Sequence, residues 1–200
     1  MSEKQDSIKE LATRIVSSPA ILDRMLKELD GPSRRSRQNA AAVISQVSQL
    51  SPELLVDHVE ELSDALTQPE AQTRWETLDA LTHLVVLKPD ECASCLQSAE
   101  DALFDEDNGL VRLAAFRFVC QLGSTTRDRA KLVWPLLDEA IQCYHGDFEY
   151  PDMLISLLSY AESDLDDSVK AALKDRVLFD SEHGHGGLKR RCQQIVEALS

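Results

Sequence analysis

A chain of 200 residues, 43% apolar and 28% charged, has the composition of an ordinary soluble globular protein. Its net charge of −14 works against nucleic acid and anionic membranes as partners, and no run of roughly 18 apolar residues offers a membrane span. The five cysteines are an odd number set within helical patterns, which fits free thiols in a reducing cytoplasm rather than a disulfide framework.

In chain order, the polar run Met1–Asp6 lacks the apolar core of a secretion signal and leads directly into a helical pattern. Residues 1–17 predict an amphipathic helix with Ile8, Leu11, Ala12 and Ile15 on one stripe, placed as an N-terminal cap. After it the apolar pattern recurs at a stride of 37 residues. Leu29, Leu66, Leu103, Ala140 and Val177 form one column. Met25, Leu62, Ala99, Leu136 and Leu173 form a second, one helical turn earlier. Leu22, Val59, Leu96 and Val133 form a third, which Lys170 interrupts. The columns predict a first helix in each repeat, over about 19–30, 52–67, 89–104, 127–142 and 166–179.

A second helix follows each first one. Ile44, Leu81 and Val119 align once a residue is inserted before the third repeat, and so do Val47, Leu84 and Leu122, and Ala41, Leu78 and Phe116. The fourth second helix carries Met153, Leu154, Leu157 and Leu158, and the fifth carries Cys192, Ile195, Val196 and Leu199. Pro52 and Pro89 stand where first helices begin, and Pro32 and Pro69 where they have just ended. Thr125-x-x-Asp128 and Ser163-x-x-Asp166 offer side-chain oxygens to the open amides of starting helices. Pro135 lies inside a first helix and predicts a kink. No segment alternates with period two, so no strand is predicted.

Arg37, Arg74 and Arg112 recur near the start of the second helices, and Asp105-Glu-Asp-Asn-Gly-Leu-Val-Arg-Leu-Ala-Ala-Phe carries the fullest pattern. This combination resembles the HEAT-repeat family from about residue 19 to 199. The fourth repeat has no matching Arg. The resemblance implies an all-α fold, a right-handed α-solenoid of about five two-helix repeats with an N-terminal capping helix. It implies one domain over 1–200, with the cap at 1–17 and repeats at about 18–50, 51–87, 88–124, 125–161 and 162–200. It implies a protein-binding scaffold, with first helices on the convex side and second helices lining the concave side. Some relatives of the family are enzymes, including alkylpurine DNA glycosylases and phycobilin lyases.

Candidate chemistry is sparse. The Arg column could meet phosphates, but Arg also suits partly buried pairs with acids of adjacent turns, such as Asp30, Glu70 or Glu106. Cys92-Ala-Ser-Cys95 looks like half a zinc or redox site, yet no second pair completes it, and the repeat register puts both cysteines in core-facing columns. His58 shares the column of Ile21, Cys95, Leu132 and Val169 and needs a polar partner, with Asp57 and Glu61 nearby in sequence. His183-Gly-His185-Gly-Gly reads as a turn that lacks a third metal ligand. The basic clusters Arg34-Arg35-Ser-Arg37 and Lys189-Arg190-Arg191 lie at opposite ends of the repeat array. The loop His145-Gly-Asp-Phe-Glu-Tyr-Pro151 holds two aromatics that can anchor a partner or pack back onto the helices, packing back being the expectation.

The sequence therefore points to a noncatalytic interaction module with a protein or peptide partner, without catalytic residues, cofactor or metal, and with nucleic acid disfavoured. Partner contact is expected at the non-core positions of the second helices, namely Gln46, Asp79, His83, Arg117 and Gln121, with Asn39, Ala42 and Glu76 in the same rows.

Overall fold

The 37-residue stride resolves into stacked helices in a computed structural model that describes residues 3–200. Twelve α-helices and no strand occur among the described residues. They are α1 (Glu3–Ser17), α2 (Leu22–Leu29), α3 (Arg34–Leu50), α4 (Val59–Ala65), α5 (Ala71–Leu84), α6 (Pro89–Ala93), α7 (Leu96–Leu103), α8 (Gly109–Gly123), α9 (Arg127–Cys143), α10 (Tyr150–Ala161), α11 (Asp167–His183) and α12 (Gly186–Ala198). Met1 and Ser2 of the expected first helix lie outside the described residues. No helix among the described residues is long and apolar enough to cross a membrane.

The expected first helices of the second and third repeats are each broken in two. A 3₁₀ turn, Pro52–Leu55, precedes α4, and the short α6 precedes α7. At each break the backbone tightens to three-residue bonds, His58 N–H to the Leu55 carbonyl and Cys95 N–H to the Cys92 carbonyl, both 3.0 Å. Each proline opens a piece whose own axis ends after one turn. These repeats therefore contain three helical pieces rather than two.

The chain forms two compact units, Met1–Ala115 and Phe116–Ser200, with the division inside α8. In the first unit α2 packs on α4, α3 packs on α5, and α1 covers the free flank of α3. In the second unit α9 packs on α11 and α10 on α12. Within each unit, then, first helices meet first helices and second helices meet second helices, as repeats stacked in chain order require.

Burial follows the apolar columns. All five residues of the Leu29 column are buried, and so are Ala41, Ile44, Val47, Leu78, Leu81, Leu84, Phe116, Val119 and Leu122. Cys92 and Cys95 are fully buried and act as small apolar groups. Burial pushes the Cys92 thiol up to about 12. The column containing His58 is less uniform than expected, because Leu132 within it is 59% exposed.

Two expected caps shift. Thr126, not Thr125, caps α9 by accepting the Arg129 amide at 3.1 Å, and Asp166, not Ser163, caps α11 by accepting the Ser168 amide at 3.0 Å. The displaced hydroxyls close the preceding helices instead. Thr125 donates to the Leu122 carbonyl and Ser163 to the Tyr160 carbonyl, each at 2.7 Å. Pro135 does lie inside α9. The Tyr160 hydroxyl donates to the Ala130 carbonyl at 3.0 Å, one residue before the carbonyl that Pro135 leaves without its amide.

Candidate functional site

Polar contacts within each unit span about one repeat. Arg37 forks onto Glu70 and also donates to the Gly31 carbonyl. Arg74 binds Asp105 at 2.7 Å, and Arg112 donates to the Asp105 backbone carbonyl at 3.0 Å. The Arg column is therefore engaged inside the first unit. Its acids are Glu70, as expected, and Asp105, which is one residue from the expected Glu106. Asp105 is selected because its other oxygen also takes the amides of Asp107 and Asn108, fixing it at the turn before α8. The Arg37 guanidinium holds the Glu70 carboxyl below the usual carboxylate range. In the second unit Arg127 binds Asp164 and Arg176 binds Asp138 in the same manner.

The predicted contact residues fall into two groups. Gln46, Asp79 and His83 come together where α3 meets α5, in the first unit. Arg117 and Gln121 belong to the second unit, four residues apart on one face of α8, with Arg117 exposed and Gln121 half-buried. On α5, Gln72, Glu76, Asp79 and His83 have the spacing of a single helical face, opposite the buried Leu81 and Leu84.

A hydrogen-bonded chain orients the α3–α5 group. Gln46 Nε2 donates to Gln49 Oε1 at 3.3 Å, and Gln49 Nε2 donates to Asp79 Oδ2, also at 3.3 Å. Ser45 Oγ donates to the same Asp79 Oδ2 at 2.9 Å. Both bonds land on one oxygen, so Asp79 Oδ1 stays open to a ligand's donor among the described residues. Ser48 gives its single proton to the Ser45 carbonyl at 2.7 Å. Its oxygen must then accept from His83 Nδ1, 3.0 Å away, which fixes the tautomer and leaves Nε2 as the neutral ring's acceptor. Burial, together with the charge of Asp79, holds the Glu76 carboxyl above the usual range. Three acceptors in a half-buried row suit a ligand rich in donors and positive charge.

Sequence reasoning missed Ser45, Ser48 and Gln49. Ser45 and Ser48 are nearly fully buried and sit among the apolar residues of α3. Two serines three residues apart in a run of Ala, Val and Ile were a signal, because buried hydroxyls need partners. His58 finds Glu61 at 3.1 Å, one of its two expected neighbours. His183 lies against Phe179 with ring centroids 4.9 Å apart. Among the described residues no group of three or more His, Cys, Asp or Glu side chains is placed to hold a metal ion. A cleft of about 700 Å³ opens between α2 and α4, lined by Asp23, Lys27, Asp30, His58, Glu61 and Asp64. None of the five predicted contact residues lines it.

No family model matches the chain, and no curated protein does. Solved structures do. An engineered protein superposes with a TM-score of 0.78 at 15% identity, over 98% of this chain and 91% of that one. A designed armadillo repeat protein in complex with the peptide (KR)4 gives 0.76 at 14% identity, over 98% and 90%. Computationally designed armadillo repeat proteins for modular peptide recognition give 0.76 at 12% identity, over 99% and 91%. The fold is that of a helical-repeat solenoid.

Proposed function

We propose that this chain is a noncatalytic peptide-binding scaffold that reads an extended, basic segment along its second helices. Gln46, Asp79 and His83 supply acceptors in the first unit; Arg117 and Gln121, on α8 in the second unit, are proposed as contact positions of that unit by itself. The observation that carries this reading is the Asp79 carboxylate, anchored twice through one oxygen with the other left open. The fold's likeness to designed repeat proteins, one of them complexed with (KR)4, supports a peptide as the partner class.

We further read the chain as one array with the cap at 1–17 and repeats at 18–50, 51–87, 88–124, 125–161 and 162–200. The Arg ladder makes it HEAT-like, while the three-piece second and third repeats lean towards the armadillo pattern. The ladder guanidiniums already serve carboxylates and a carbonyl of their own unit, which argues against their use on a nucleic-acid backbone.

Fluorescence anisotropy with labelled (KR)4 tests the reading. The unaltered chain should bind it with salt-sensitive affinity, and Asp79→Asn should weaken binding about tenfold, the scale of one charge-assisted hydrogen bond. Failure of the unaltered chain to bind, or equal affinity for an acidic peptide of the same length, would overturn it.

A further inference from the structure

The second unit carries a different kind of surface. Phe148, in the loop between α9 and α10, is 100% exposed, and Phe179 on α11 is 70% exposed. The loop is nevertheless braced. Asp147 N–H donates to the Tyr144 carbonyl at 3.0 Å and Tyr150 N–H to the Asp147 carbonyl at 3.2 Å. The Tyr150 side chain is buried and its ring lies 5.1 Å from that of His145. His145 Nε2 in turn reaches Asp180 Oδ2 at 2.9 Å, tying the loop to α11 at the residue after Phe179. Of the two loop aromatics, then, Tyr150 packs back and Phe148 does not. A phenyl ring held in water by a braced loop is the pattern of an interface anchor.

Along α11, Asp175, Leu178, Phe179, Glu182 and His183 recur at helical spacing, and all are exposed. Two apolar side chains are thus bracketed by two carboxylates. Arg176 on the same helix is already bound by Asp138. A second copy of a chain of net charge −14 meets like charge at this surface, and so does an anionic lipid. A cationic partner meets the opposite charge.

We propose that Phe148 and the Leu178–Phe179 stripe dock a cationic amphipathic peptide segment, with its apolar side chains against the two phenylalanines and its Lys or Arg side chains beside Asp175 and Glu182. The site is separate from the α3–α5 row and needs an apolar face on the ligand, which (KR)4 lacks.

A fluorescein-labelled helical Leu/Lys peptide is titrated with the full chain by anisotropy, alongside an Ala/Lys peptide of equal charge. Phe148→Ala and Phe179→Ala alter exposed side chains, and unchanged thermal melts by circular dichroism establish that both variants fold. Each should weaken Leu/Lys binding by about tenfold or more, and Glu182→Lys should weaken it and flatten its salt dependence. The Ala/Lys peptide should bind no better than the Phe variants bind Leu/Lys. Equal binding of the two peptides, or undiminished binding by the Phe148→Ala/Phe179→Ala double variant, overturns the proposal. Phe148-dependent dimerisation in sedimentation, or Phe148-dependent binding to phosphatidylserine vesicles, overturns it in favour of another occupant. Asp79→Asn should weaken (KR)4 binding but leave the Phe148- and Phe179-dependent part of Leu/Lys binding unchanged, so failure here and failure of the (KR)4 reading are distinguishable.

Discussion

Gly123 ends α8 directly against the side chains of Val133 and Tyr160. A methyl group added there would lie 2.5 Å from Val133 Cγ2 and 2.8 Å from Tyr160 Cε2. Ordinary carbon contacts lie at about 3.5–4.0 Å, so both neighbours must retreat by roughly 1 Å. Neither can do so freely. Val133 is fully buried and stiff at its branched carbon, and Tyr160 is fully buried with its hydroxyl held on the Ala130 carbonyl. Overpacking of this kind costs about 1–3 kcal/mol. Replacing Gly by Ala at a helix end returns at most about 1 kcal/mol of backbone entropy. Gly123→Ala should therefore destabilise by about 1–2 kcal/mol, a fall in Tm of roughly 2–8 °C for a chain of this size. Calorimetry on Gly123→Ala, Val133→Ala and the double variant measures the clash directly. Val133→Ala makes room, so the double variant should lose at least about 1 kcal/mol less than the two single losses combined. Strict additivity, or a Gly123→Ala protein that melts at or above the unaltered chain, refutes the packing described for this unit.

The Arg37–Glu70 pair should show itself in acid. The folded-state pKa of Glu70 is depressed, so its contribution is complete above the unfolded value of about 4.3 and is lost as pH falls through the lower folded value. The gap in urea midpoint between the unaltered chain and Glu70→Gln should thus be wide at neutral pH and narrow below about pH 4. A gap that widens on acidification would reverse the sign. Thr73 and Thr77 are buried on α5 with hydroxyls that have no hydrogen-bond partner among the described residues. Thr73→Val and Thr77→Val should each be neutral or stabilising by up to about 1 kcal/mol in chemical denaturation, and a loss of more than about 1 kcal/mol would mean that the hydroxyl has a partner. Of the five cysteines, Cys143 alone is exposed. Ellman's reagent at pH 8 should titrate one thiol rapidly in the folded chain and the rest only on unfolding, because burial raises the other four thiols.

The fold was legible in the sequence because burial in stacked helices forces apolar residues to return at a constant interval. Leu29 through Val177 do so and are all buried. Breaks within first helices were less legible. Pro52 and Pro89 each open a helical piece, but a proline says nothing about how soon the turn it starts will end. Cap positions slipped by one residue at Thr126 and three at Asp166, since adjacent oxygens compete for opposite helix ends and local sequence does not say which wins. In the candidate site, Asp79 and His83 followed from register alone. Their orientation depends on Ser45 and Ser48, some 34 and 35 residues earlier in the chain. Phe148 and Tyr150 are separated by one residue and have opposite fates, because only the second has a neighbour to pack on.

The ties between repeats join residues about one stride apart, from Arg37 with Glu70 to Arg176 with Asp138. Nothing in such a pattern has to wait for a distant end of the polypeptide to arrive. During synthesis each hairpin can settle as soon as its successor has left the ribosome, so the exposed oily flank awaiting cover at any moment is only one hairpin wide.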